Sequence, residues 1–275
     1  MAGRRLSVAI PDTVLEDHDS LREKTVKLGQ IARSCSIFGV DLVEVFPDPR
    51  GHGEAALIRR VLEYLETPQY LRKRLFPIDE SLRYAGLLPP LRIPSHKPKV
   101  PLDNLAQGEL REGYLLDDGL SVDIGLDATL ELAAPAEPRR RVTVRVTHRK
   151  PLRGALAAPG ASDPYWGYRV EERDADALFA DPRFALRIAT SRSGERLAGC
   201  LGALGRRFAA TASVLLLFGS PSRGLYETIP DLGGRSDFVV NLYPEQHVAT
   251  VRTEEAIASA LYLLEILGAS GDTKV

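Results

Sequence analysis

The sequence predicts an α/β domain built on a mostly parallel sheet and interrupted in its middle by a small all-β module. Its first and last thirds alternate short apolar strands with amphipathic helices, the pattern of a parallel sheet covered by helices. Between them, Pro89, Pro90, Pro94, Pro98 and Pro101 end the helical rhythm, and apolar residues then recur at every second position.

The elements follow in order. Leu6 to Ile10 form a first strand that Pro11 ends, and Ser20-Leu21-Arg22-Glu23 is a capping box opening a helix. Leu28, Ile31, Ala32 and Cys35 fall at i, i+3, i+4 and i+7 on that helix. Asp41 to Phe46 make the next strand, and Ile58, Val61, Leu62 and Leu65 a second helix that Thr67-Pro68 closes. Leu120 to Ile124 and Val142 to Thr147 are the clearest period-two strands, which places the all-β module over residues 92–164. Helix and strand alternation returns after Tyr165-Trp166-Gly167-Tyr168, with strands at 185–189, 214–218 and 238–242. A closing helix runs over 254–267, with Ile257, Ala260, Leu261 and Leu264 on one face and Gly268 at its stop. The predicted organisation is therefore 1–91 and 165–275 as one α/β domain, with 92–164 inserted.

At 275 residues the chain can bury a substantial core, and 44% hydrophobic with 27% charged residues excludes disordered and collagen-like classes. No apolar run reaches the roughly 18 residues of a membrane span, so a soluble, cytoplasmic chain without a membrane partner is expected. Cys35 and Cys200 are the only cysteines and lie outside any C-x-x-C, so no metal is expected and both read as small core residues. The net charge of −1 conceals a local excess: Gln69 to Val100 carry seven cations against two acids, a run on which a polyanion can dock.

Each late strand is followed by a small-residue or polar loop: Thr190 to Gly194, Gly219 to Gly224, and Asn241 to His247. Ligands of open parallel sheets bind outside the carboxyl ends of strands. The spacing of Gly219 and Gly224 matches a phosphate loop, but Leu225 stands where the lysine is needed, which disfavours nucleotide hydrolysis.

Longer motifs add a resemblance. Leu21-Arg22-Glu23-Lys24-Thr25, Gly29 to Arg33, Leu62 to Pro77, Leu82 to Arg92, Phe218 to Leu225 and Thr250 to Ala256 together resemble the archaeal and eukaryotic SPOUT-class RNA uridine N3 methyltransferases. That resemblance implies a trefoil-knotted SPOUT fold with an inserted OB-like barrel and a homodimer. It also implies an S-adenosylmethionine-dependent enzyme that methylates uridine N3 of ribosomal RNA. Thr190, Gly219, Ser220, Gly224, Asn241, Leu242, Val251 and Thr253 take the cofactor contacts by the same resemblance. His247 departs from it, standing where the family carries glycine.

The proton on uridine N3 must leave before or during attack, so a base or a stabilising cation is required. Arg22 is the catalytic candidate, with Arg33 and Arg223 behind it, and Glu227 and Glu254 are possible bases that the helix dipole accounts for equally well. Arg22, Arg33, Arg72, Lys73, Arg74, Arg140 and Arg141 are the expected RNA contacts. Tyr114 is the only aromatic between 92 and 164, so phosphate contacts are expected to outweigh base stacking. The alternatives are a non-catalytic RNA-binding or ribosome-assembly factor, or a SPOUT enzyme acting on a ribose 2′-hydroxyl or guanine N1.

Overall fold

The computed structural model describes residues 4–157 and 165–272; the expected end of the module at 164 and residues 273–275 lie outside them. The described residues form two compact units, one comprising 64–80 with 90–167 and the other the remainder.

The larger unit contains β1 (Arg5–Pro11), α1 (Leu21–Ile37), β2 (Leu42–Phe46) and most of α2 (Ala55–Glu66). The smaller unit follows with α3 (Gln69–Leu75), β3 (Leu110–Leu115), β4 (Ser121–Asp123), β5 (Leu130–Leu132), β6 (Arg140–Arg149) and β7 (Leu152–Leu156). The chain then returns to the larger unit with β8 (Arg169–Glu172), α4 (Ala175–Ala180), β9 (Leu186–Arg196), α5 (Leu197–Ala209) and β10 (Ser213–Leu217). It ends with α6 (Leu225–Thr228), α7 (Leu232–Arg235), β11 (Phe238–Asn241) and α8 (Thr253–Asp272).

In the larger unit six strands lie in the order β11-β9-β10-β1-β2-β8, and every neighbouring pair is parallel. β10 is buried along its whole length, which explains why Ser213–Leu217 is nearly all apolar rather than alternating. The capping box of α1 forms as expected: Glu23 N donates to Ser20 Oγ at 3.2 Å, and Ser20 Oγ donates to Glu23 Oε2 at 2.6 Å. Leu28, Ile31, Ala32 and Cys35 are fully buried, Cys200 is buried too, and both thiols are free. α8 packs against α1 and α5 through Ile257, Ala260, Leu261 and Leu264. It does not stop at Gly268 but continues to Asp272. A single glycine costs a helix only about 1 kcal/mol, and no proline follows to enforce the stop.

The smaller unit is a closed barrel in the order β3-β4-β5-β7-β6, with β5 and β7 parallel and the other pairs antiparallel. The period-two residues fill it: Leu115, Val122, Leu130, Val142, Val144 and Val146 share one core. Residues 64–80 belong to this unit as well. Tyr70 Oη donates to Glu112 O at 2.8 Å, and the Arg141 guanidinium bridges Glu66 and Glu112. Trp166 Nε1 also donates to the buried Glu112 carboxylate, at 2.6 Å.

Candidate active site

β10, β9 and β11 are successive strands of the sheet, so the connections at their carboxyl ends emerge side by side. β9 pairs with β11 through Ala189, and pairing resumes only at Glu195 opposite Val240, so residues 190–194 bulge from the ladder. Gly194 makes this possible. A Cβ there would lie 2.7 Å from Val239 O, a backbone atom with nowhere to move.

Side chains then tie the loops together. Thr190 Oγ1 donates to Leu217 O at 3.1 Å, linking the bulge to β10. Asn241 Nδ2 donates to Arg192 O at 2.8 Å while Asn241 Oδ1 accepts from Tyr243 N at 2.9 Å. Thr253 Oγ1 donates to Gly219 O at 3.1 Å, so its hydroxyl serves the loop rather than capping α8. Gln246 Nε2 folds the last loop onto Val248 O and Ala249 O at 2.9 and 3.2 Å.

These loops wall a cavity of about 390 Å³, within the range of small-molecule sites. Thr190, Gly219, Ser220, Gly224, Asn241, Leu242, Val251 and Thr253 all line it. Gly224 leaves the cavity open, because a Cβ there would meet nothing nearer than Glu227 Oε1 at 3.8 Å. A ligand can therefore approach the backbone at that point. Leu225 is fully buried in the apolar core, which removes any phosphate-loop lysine from consideration.

Of the acids considered as bases, Glu227 lines the cavity and Glu254 does not. Glu227 Oε1 accepts from Gly224 N at 3.1 Å, the dipole-satisfying arrangement at the start of α6. Glu254 is buried, with its Oε2 3.5 Å from Lys27 Nζ. His247 is exposed, outside the cavity lining and without left-handed backbone, so glycine is not required there.

Arg22 is exposed on the first turn of α1 and does not line the cavity. The connection leading into α1 reaches the 219–224 loop through Glu16, so Arg22 stands at the same edge of the sheet. Arg33 lies eleven residues on, about 16 Å along the same helix face. Arg223 lines the cavity, but its guanidinium is held by Asp48 at 2.8 Å and Glu16 at 3.0 Å. Glu16 and Asp48 are the site residues that sequence spacing missed, because they reach the loop from about 200 and 175 positions away.

In the barrel unit the expected RNA contacts divide. Arg72 donates to Thr67 O and Leu65 O and covers the Tyr64 ring, and Arg141 is locked between Glu66 and Glu112, so both charges are met within the protein. Arg74 pairs with Asp123 at 2.8 Å, with its guanidinium 5.8 Å from the centre of the Tyr114 ring. Lys73 and Arg140 are exposed.

Relatives match over nearly the full length. An uncharacterized protein of Haloarcula marismortui is 35% identical over 94% of this chain and 98% of its own. The human 28S rRNA (uridine-N(3))-methyltransferase is 33% identical over 94% of this chain and 77% of its own. A crystal structure of an RNA 2′-O ribose methyltransferase aligns with 98% of this chain and 58% of its own at 9% identity and a TM-score of 0.42. Residues 5–264 match a family model, and on that span the chain belongs to the family described as "Putative RNA methyltransferase".

Proposed function

We propose that the chain transfers a methyl group from S-adenosylmethionine to uridine N3 of ribosomal RNA. The observation that carries this reading is the convergence of eight residues, six from the three loops and Val251 and Thr253 from the lead into α8, on one cavity, in a chain with relatives named for that reaction. The cofactor, when bound, supplies an electrophilic methyl group on a sulfonium sulfur. The chain's own part is to hold the ligand against the open backbone at Gly224 and to bring the target base to the same edge, where positioning supplies much of the rate. We assign to Arg22, at the same edge of the sheet, the stabilisation of charge developing on the base as the N3 proton passes to solvent.

The finer fold reading belongs with this proposal. The barrel's strand order, with its third and fifth strands parallel, supports an OB-like module that guides RNA. The SPOUT knot is part of the same reading and rests on the family resemblance; the Thr253 bond to Gly219 ties the start of α8 to the 219–224 loop within it. Homodimerisation and a cytoplasmic setting complete the reading, and sedimentation tests the former.

Incubation with labelled adenosylmethionine and ribosomal RNA, followed by nucleoside mapping, should yield 3-methyluridine. A 2′-O-methylated ribose or 1-methylguanosine would move the acceptor. RNA binding without any transfer would favour an assembly factor. Arg22→Ala should lower the single-turnover rate about a hundredfold, the effect of losing one charge-stabilising contact, with cofactor affinity nearly unchanged. A rate within a few-fold of wild type would return Arg22 to the surface, where an ion pair is worth under about 1 kcal/mol.

A further inference from the structure

The structure assigns to Glu16 and Asp17, adjacent acids between β1 and α1, the role of positioning residues that hold the 219–224 loop and the start of α8 in register. The assignment rests on reading that cavity as the adenosylmethionine site. Glu16 Oε1 accepts from Ser220 Oγ at 2.6 Å, from Ser222 N at 3.3 Å and from Ser222 Oγ, while Glu16 Oε2 accepts from Arg223 Nη2 at 3.0 Å. One carboxylate thus gathers the outer side of the 219–224 loop. Arg223 Nε donates to Asp48 Oδ2 at 2.8 Å, and Thr13 Oγ1 donates to the same oxygen at 3.2 Å, so the loop is also tied to the connection after β2. Gly51 keeps room for this guanidinium, since a Cβ there would fall 2.5 Å from Arg223 Nη2.

Asp17 points the other way. Its two oxygens accept from Lys27 Nζ at 2.8 and 2.9 Å, and Lys27, with only 1% of its side chain exposed, also faces Glu254 in the first turn of α8. Glu254 follows Thr253, whose hydroxyl bonds back to Gly219. The connection therefore closes a circuit from the glycine loop to the start of α8 and back. Ser220, Ser222 and Arg223 line the cavity on their inner side, so the carboxylate that holds them from behind sets where their backbone stands. Burial pushes the Glu16 carboxyl up, but the two serines and Arg223 outweigh it and hold it below the usual carboxylate range, so the charge is present at neutral pH.

The test compares Glu16→Ala and Glu16→Gln with wild type, reading adenosylmethionine affinity by calorimetry and amide hydrogen exchange of the ligand-free protein. Glu16→Ala should weaken cofactor binding about tenfold and speed exchange at Ser222 to Gly224 about tenfold, leaving β1 and β10 protected. Glu16→Gln keeps an acceptor for the serines and should recover most of the affinity. In turnover the KM for adenosylmethionine should rise about tenfold, with kcat at saturation within about threefold. Wild-type affinity and unchanged loop exchange in Glu16→Ala would overturn the assignment, as would equal loss in both variants with general loss of protection. If wild type binds no adenosylmethionine but the loop deprotects in Glu16→Ala, the positioning role stands and the cofactor reading alone fails.

Discussion

The edge of the sheet and the surface of the barrel handle polar residues in opposite ways. At the sheet edge, hydroxyls and amides bond to the loops' own carbonyls, as Thr190, Asn241 and Thr253 do, and leave an open cavity between them. In the barrel unit Arg72 and Arg141, two of the expected RNA contacts, turn inward onto Tyr64, Glu66 and Glu112. Small residues after parallel strands thus report a site through backbone geometry, whereas a count of cations reports only charge before pairing.

Gly224→Val should have the largest effect on the sheet edge. A Cβ at this position meets only Glu227 Oε1, at 3.8 Å, so the fold should persist while the branch enters the space a ligand needs. Adenosylmethionine affinity should fall at least a hundredfold, about 3 kcal/mol. Calorimetry with an unchanged melting temperature checks it. Unaltered affinity would reduce the loop to a turn.

That contrast also measures what the sequence disclosed. The parallel sheet, the interruption and the three loops were legible because each rests on local signals: period, proline placement and small residues after an apolar run. The membership of 64–80 in the barrel unit was not, because it depends on Tyr70 and Glu66 meeting residues 42 and 75 positions away. Nor was the length of β9, which reads as a strand followed by a loop but forms one strand with a bulge at Gly194. Glu16 was invisible for the same reason: nothing in Thr13 to Asp19 announces a partner at Ser220.

Arg141→Ala sharpens the barrel side. Removing the guanidinium takes the Arg141 charge away from the Glu66 and Glu112 carboxylates, 9% and 4% exposed. Breaking a fully buried pair costs about 3 to 5 kcal/mol, and since Arg141 retains a quarter of its exposure we expect about 2 kcal/mol. Urea unfolding should show the loss. A stability within about 0.5 kcal/mol of wild type, with RNA affinity sharply reduced, would instead mean that Arg141 faces RNA and that the pairs seen here are incidental.

Arg140→Ala and Lys73→Ala carry the smallest expected effect and the sharpest comparison. Both side chains are exposed, and Arg140 makes one hydrogen bond, to the neighbouring Glu137 O at 3.0 Å, so neither substitution should change stability by more than about 0.5 kcal/mol. If the barrel tracks an RNA strand through phosphates, each substitution should lower the slope of log affinity against log salt by about 0.7, the value for one lost contact to a single strand. The weakening should be uniform across RNA sequences, because phosphate contacts position without specifying. Arg72→Ala makes the useful control: its guanidinium caps Leu65 O and Thr67 O, so it should cost stability and leave the slope alone. A slope unchanged in Arg140→Ala and Lys73→Ala would remove the barrel's outward charge from RNA binding. RNA docking would then rest on the sheet unit, with the Arg22 and Arg33 face of α1 as the surface to test next.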